Sequence, residues 1–327
     1  MKQILALTLT AALSAGAMAQ DFPSKPISIV VPFAAGGPTD LVARQLAEAM
    51  RKPLGGANIV VENAAGAGGT IGATKVARAK PDGYTLLVWH IGMAATTSLY
   101  RKQSFKPLED FEYLGAINDV PMTLLGSNKL NANTYRDFEA YIRANGGKLN
   151  LAHAGLGSAS HLCGLMWQSA MKLDKSMTTI PYGGTAPAMN DLIGGQVDVM
   201  CDQTTNTTSQ IEAGRVKAFA VTTAKPLSNH KLLKDYPSLQ EMGLKDFSLT
   251  IWHGLYAPKG TPADVTKKLN DALKVALKDP EFIKKQEALG AIVVTDNRLT
   301  PAGHKAFVAD QISKLKTAIE AAGQFAD

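Results

Sequence analysis

Two kinds of apolar pattern alternate along the chain. Short runs such as "ISIVVPF" (27–33), "NIVVEN" (58–63) and "YTLLVW" (84–89) are β-branched or continuously apolar, and read as strands. Between them, "PTDLVARQLAEAM" sets Val42, Leu46, Ala49 and Met50 on one helical face, with Pro38 suited to the first turn. "GAGGTIGATKVARAKPDG" reads as a glycine loop, a helix and a turn at Pro81-Asp82-Gly83. A β-α-β-α-β order predicts a parallel sheet covered by helices. The alternation then restarts. "MTLLGS", "LNLAH", "TTIP", "VDVMCD" and "VKAFAVTT" read as strands, and "TYRDFEAYIRANG", "GLGSASHLCGLMWQSAM" and "GGTAPAMNDLIGG" as helices or loops leading into them. A tail follows with one more strand, "LTIWHGLYAP", and a helix carrying Val265, Leu269, Leu273 and Ala276 in phase. A short strand, "AIVVT", precedes a last helix with Val308, Ile312, Leu315 and Ile319 on one face. The reading is two α/β units, with a tail able to return to the first. The two units echo each other: "VVPFAAGGPTDL" resembles "TIPYGGTAPAMNDL".

Composition supports two units. The chain has 327 residues, 46% hydrophobic and 19% charged, enough apolar material for sizeable cores. Its net charge of +6 is spread thinly, and no arginine cluster interleaves with aromatics, so nucleic acid is not an expected partner. "KKLNDALKVALKDPEFIKK" (267–285) mixes acids with bases and reads as a solvated helix face. The N-terminus is Met-Lys followed by "ILALTLTAALSAGAMA", with small residues at Ala17 and Ala19. That is the form of a signal peptide, residues 1–19, cut after Ala19. The apolar stretch is short of the ~20 residues a spanning helix needs. An exported, periplasmic protein is therefore expected. Export permits a disulfide between Cys163 and Cys201, but spacing alone leaves a bridge and two buried thiols equally open.

Which chemistry the glycine loops serve is decided partly by exclusion. Gly37 is followed by Pro38 and Thr39, with no lysine to reach a phosphate, and Ile71 stands where the dinucleotide fingerprint wants glycine. No nucleotide cofactor is expected. A glycine loop before a helix still leaves backbone N–H groups outward, where the helix dipole favours an anion. One such terminus contributes about 0.3–2 kcal/mol, whereas micromolar binding requires about 8 kcal/mol. Several must converge. The chain offers four loops, at 32–40, 63–72, 155–161 and 182–187, two in each unit. The bland alternative is that the glycines only end strands and cap helices. Enzyme signatures are missing: "GLGSASH" is not a nucleophile elbow, and Ser158 reads as an N-cap. A serine hydrolase using Ser158 or Ser160 with His161 would lack a spaced acid. His161, Cys163 and Cys201 lack the paired spacing of a metal site, so no metal is expected. Asp40 belongs in a helix's first turn. Asp202, after an apolar strand, either meets a ligand or holds a neighbouring loop.

Together, "PFAAGGPTDLVAR", "VVENAAGAGGTIGATKVARAKPDGYTLL", "PYGGTAPAMNDLIGGQVDVM", "AGRVKAFAVTT" and "GLYAPKGTP" resemble the Bug-type solute-binding proteins, the extracytoplasmic receptors of tripartite tricarboxylate transporters. The resemblance runs from about Pro23 to the C-terminal helix. It implies an α/β, two-lobed periplasmic-binding-protein fold of type II, each lobe a mostly parallel sheet flanked by helices, with two crossovers at the hinge. Domain 1 would be residues 20–122 and 249–327, and domain 2 residues 123–248. It implies capture of a small mono- or dicarboxylate without a cofactor, by a monomer that hands it to integral membrane subunits. A receptor serving a membrane sensor is the alternative. The carried-over site is Phe33, Ala34, Ala35, Gly37 and Thr39 with Ala67, Gly68 and Gly69 from one lobe, and Ser158, His161, Thr185, Ala186 and Asp202 from the other. His90 and Trp252 are added as residues able to line the cleft, with a packed Trp as the other reading. His253 is either beside the cleft or a hinge histidine. Cys163 and Cys201 depart from the family pattern together, and that joint departure favours their disulfide.

Overall fold

The computed structural model describes residues 22–173 and 177–322; the signal-peptide reading of residues 1–19 lies outside them. The first lobe begins with β1 (Ile27–Val31), α1 (Pro38–Arg51), β2 (Ile59–Asn63), α2 (Thr70–Ala77), β3 (Thr85–His90) and α3 (Gly92–Leu99). β1 runs parallel to both β2 and β3. Its alternate side chains face layers on both sides, so the strand is apolar apart from half-buried Ser28. Gly37 caps α1 and Pro38 opens it, where a missing N–H costs nothing. Val42, Leu46 and Met50 are buried as the pattern predicts; Ala49 is only half-buried, and Ala43 and Ala47 complete the stripe.

A 16-residue strand, β4 (Phe111–Gly126), then carries the chain across. The second lobe follows: α4 (Tyr135–Asn145), β5 (Asn150–His153), α5 (Ala159–Ala170), β6 (Thr178–Pro181), α6 (Thr185–Gly194), β7 (Val199–Gln203), α7 (Thr204–Glu212) and β8 (Lys217–Val221). β5 lies parallel between β6 and β7, repeating the arrangement of β2-β1-β3. The return strand is β9 (Thr250–Pro258), followed by α8 (Ala263–Ala276), α9 (Pro280–Ala288), β10 (Ile292–Val293) and α10 (Pro301–Ala322). The strands join in the order β2-β1-β3-β9-β4-β7-β5-β6. The parallel strands are thus three per lobe, and the crossing strands that join them run antiparallel to their neighbours. β4 pairs with β9 from Phe111↔Pro258 to Pro121↔Thr250, then with β7 from Met122↔Gln203 onward. Its partner changes between Pro121 and Met122.

Two local expectations need correction. The 267–285 stretch is two helices, α8 and α9: Asp279 caps α9 by accepting the Glu281 N–H at 2.8 Å, and Pro280 cannot continue α8. The charged face is solvated as expected, but it turns. The strand reading "MTLLGS" covers only the last part of β4. Its first part, "FEYLGAINDVP", has register shifts after Tyr113 and Ala116 and buries Asn118, which breaks any simple alternation.

Cys163 on α5 and Cys201 on β7 form a disulfide, Cα–Cα 6.0 Å, closing a separation of 38 residues. The chain-entropy model assigns such a loop about 4 kcal/mol. Replacing both cysteines by alanine is expected to lower the unfolding free energy by about 3–5 kcal/mol. Urea denaturation under non-reducing conditions measures it; an unchanged midpoint would show that the bridge constrains nothing.

Candidate functional site

The two echoed loops meet face to face between the lobes. The Ala34 N–H donates to the Gly183 carbonyl at 3.0 Å. A Cβ built on Gly37 would sit 3.7 Å from Thr185 Oγ1 and 3.8 Å from the Ala186 nitrogen. Close by, Gly68 of the first lobe presses on the Leu156 carbonyl of the second, which also accepts the Tyr100 hydroxyl at 2.9 Å. The lobes are shut against each other. Between them lies a small cavity with about 10 Å³ of free space, lined by Phe33, Gly37, Pro38 and Thr39, by His90, and by residues of the second lobe. The second lobe supplies Ala154, Ser158, Ala159, Ser160, Thr185, Asp202 and Gln203. As shut, it has room for about one water, so a small-molecule ligand requires the lobes to part.

Helix starts converge here. The first turns of α1, α5 and α6 line the cavity, and so does Gln203, the N-cap of α7. Each leaves N–H groups without intrahelical partners at the positive end of a helix dipole. The lining includes no lysine or arginine. Three of the four glycine loops reach this cavity. The loop at 63–72 does not line the cavity; it closes the rim through Gly68, while Gly69 packs on the Trp89 ring. The α7 start takes its place. Sequence reasoning missed it because "TTNTTSQIE" is a run of poor helix formers, and no glycine announces it.

The lining side chains are held from behind. Asp40 accepts the Gly36 N–H at 3.0 Å, two bonds from Arg44 at 2.9 and 3.0 Å, and one from Asn63. Burial works against its charge, but these donors, Arg44 foremost, keep its pKa below the usual carboxylate value. It shapes the 32–40 loop and does not act as a base. His90 stacks on Phe33 at 4.9 Å, and its Nδ1 accepts the Gly92 N–H. Burial pushes its pKa down to about 3, so the ring is neutral with its proton on Nε2. Asp202 is fully buried: Oδ2 accepts from Asn206 at 2.6 Å, and Oδ1 has no hydrogen-bond partner. Burial raises its pKa to about 7 against the opposing pull of Asn206, the Gln203 N–H and the nearby Thr185 hydroxyl.

The remaining candidates fall elsewhere. Ser158 is the N-cap of α5: its Oγ accepts the His161 N–H at 3.2 Å and shares a hydrogen bond with Ser160. His161 Nδ1 takes the Gly157 N–H, so that nitrogen is not a base for Ser158. Ser160 accepts the Ala154 N–H at 2.9 Å and lines the cavity in its own right. Ala35 and Ala67 are exposed, and Ala186 packs beside Gly36. Trp252 points away from the cavity and packs edge-on against Phe307 at 5.2 Å. Its neighbour His253 instead reaches the site from behind, 3.2 Å from Thr39 Oγ1. No cluster of three or more metal-type ligands, and no helix long and apolar enough to cross a membrane, occurs among the described residues.

Residues 42–324 match the family described as "Tripartite tricarboxylate transporter family receptor". A protein of Agrobacterium vitis, described as a UPF0065 protein in the TAR-I ttuE-ttuC' intergenic region, is 46% identical over 98% of this chain and 92% of its own length. The solved structure of periplasmic binding protein BugD is 49% identical, with TM-score 0.89 over 93% of this chain and 99% of that one. MatC from Rhodopseudomonas palustris, solved with bound malate, is 37% identical with TM-score 0.85, covering 91% and 100%. A second R. palustris protein, solved with adipate, is 30% identical with TM-score 0.85, covering 93% and 99%. With a family match over most of the chain and both lobes superposing on these structures, the chain belongs to the tripartite tricarboxylate transporter receptor family.

Proposed function

We propose that the protein is exported to the periplasm, shuts its two lobes over one small organic carboxylate, and delivers it to membrane transporter subunits. Carboxylate-binding solute receptor is the class its family and the malate- and adipate-bound relatives support. The observation that carries the reading is the cavity itself. It is built from helix starts of both lobes, its lining has no lysine or arginine, and it is complete only when the lobes meet. Such a site attracts an anion. The proposed hinge, with lobe bounds at 122/123 and 248/249, falls within a residue of where β4 changes partner after Pro121 and where β9 begins at Thr250.

The test is thermal unfolding of ligand-stripped protein against mono- and dicarboxylates. A ligand at 100 times its Kd adds about 2.7 kcal/mol and should raise Tm by several degrees. No shift with any of them would reject capture. Uptake of the stabilising acid in a deletion strain separates delivery from sensing.

A further inference from the structure

Asp202 lines the cavity from inside the second lobe. Its strand, β7, lies between β4 and β5, and Asp202 itself is the register partner of Thr123. These neighbours stay with it whether the lobes are shut or apart. The residue is 0% exposed; Asn206 donates to its Oδ2 at 2.6 Å, and Oδ1 has no hydrogen-bond partner. From α6 and α7 it meets Thr185 and Asn206, which carry no charge. The lining has no lysine or arginine, and Arg44, behind the 32–40 loop, is paired with Asp40. Burial lowers His90, on the lining, to about 3, and keeps His253, behind Thr39, neutral. His153 ends β5, where burial and then His161, its ring 5.0 Å away, bring it to about 4.

A carboxylate entering this cavity brings a negative charge to a lining that already holds a carboxyl group. Like charges that share one site do not both persist; one of the pair takes a proton. Asp202 is placed to take it. Asn206 already occupies Oδ2 as a donor, and the partnerless Oδ1 is free to become an O–H. Burial raises the Asp202 pKa to about 7 before any ligand arrives, and the ligand's charge raises it further. Ionised, Asp202 only accepts hydrogen bonds; as the neutral acid it has one to donate, which a carboxylate can receive.

We propose that capture is proton-linked: Asp202 meets the ligand's carboxylate as the neutral acid and donates its Oδ1–H, so that above neutral pH each ligand is bound together with one proton. The proton comes from solvent and forms the O–H bond on Asp202; no other bond changes. The inference rests on the capture reading above and adds the condition that governs its affinity. Below about pH 7 the free protein already holds the proton, and affinity is level. Above it the free protein is ionised while the complex is not, so affinity falls as pH rises.

Calorimetry with malate, succinate and adipate tests it, in pairs of buffers that differ in ionisation enthalpy. Native protein should take up about one proton per ligand at pH 8 and about a quarter of one at pH 6.5. Its affinity should be about 20-fold weaker at pH 8.5 than at pH 6.5. In Asp202→Asn, which cannot ionise, the two affinities should agree within about twofold and uptake should vanish. Carboxyl-¹³C spectra of the native complex at pH 8 should show a protonated aspartate, a readout that does not depend on the variant. Binding by the native protein that is level with pH and takes up no proton would overturn the linkage while leaving capture intact. Uptake that survives in Asp202→Asn would overturn it too, by assigning the proton to another group, His161 foremost. No heat from any of the acids would reject capture, and the linkage with it.

Discussion

Gly68→Ala is expected to weaken carboxylate binding on the order of 100-fold while leaving the unliganded protein folded. The added methyl would lie 1.8 Å from the Leu156 carbonyl oxygen and 2.9 Å from its carbon. That carbonyl belongs to the opposite lobe and is pinned by Tyr100, so it cannot yield cheaply. Parting the lobes relieves the clash with Leu156; within its own lobe the methyl meets only the far end of Tyr100, 3.1 Å from its hydroxyl, which can shift. The closed state is penalised far more than the open one, and apparent affinity falls with its population. A hundredfold loss corresponds to about 2.8 kcal/mol against closure. Gly68 also has φ +62, so alanine there bears about 1–2 kcal/mol of backbone strain as well. Gly55→Ala separates the two effects, since Gly55 has φ +70 and open space around it. Calorimetry should show the affinity loss for Gly68→Ala only, and scattering at saturating ligand should show a wider particle. Native affinity in Gly68→Ala would mean that the shut arrangement is not the bound one.

Asp202→Asn should stabilise the unliganded protein at pH 8 and do almost nothing at pH 4. In the folded chain burial holds the Asp202 pKa at about 7, against 3.8 for a free aspartate side chain. Between these pH values the folded state keeps a proton that the unfolded state has lost. Stability therefore falls as pH rises through this window, and is level below and above it. An amide cannot ionise and escapes the fall. The difference between variant and native protein should grow from near zero at pH 4 to as much as about 4 kcal/mol at pH 8. Buried His90 and His304, both pushed down to about 3, give the opposite slope in both proteins and cancel in the difference. Urea melts at both pH values measure it. A gap that does not change with pH would show that Asp202 is ionised throughout.

Much of the site was legible because its parts are local. A strand, a glycine loop and a helix start occupy a dozen consecutive residues, and their order can be read from spacing and from Pro38, Gly37 or Ser158 alone. The echo between 30–41 and 179–192 was visible for the same reason, although nothing in it said that the loops would face each other. What stayed hidden depends on partners far along the chain. Thr39 and His253 are separated by 214 residues, Asn118 and Gln286 by 168. Trp252 and His253 are neighbours in one strand, and the alternation of β9 sends one toward Phe307 and the other toward the cleft. Sequence could name both but could not choose the face.

By itself, then, the sequence determined the class of the protein: two α/β units, a returning tail, helix starts suited to an anion, and a motif set that identifies the receptor family. Each of these follows from short-range rules of periodicity, turns and caps. Only the tertiary structure decided which helix starts share a cavity, that the 63–72 loop closes its rim, and that Thr39 and the buried Asp202 meet on its lining. Those properties come from burial and from hydrogen bonds between distant segments, which exist only once the lobes have closed.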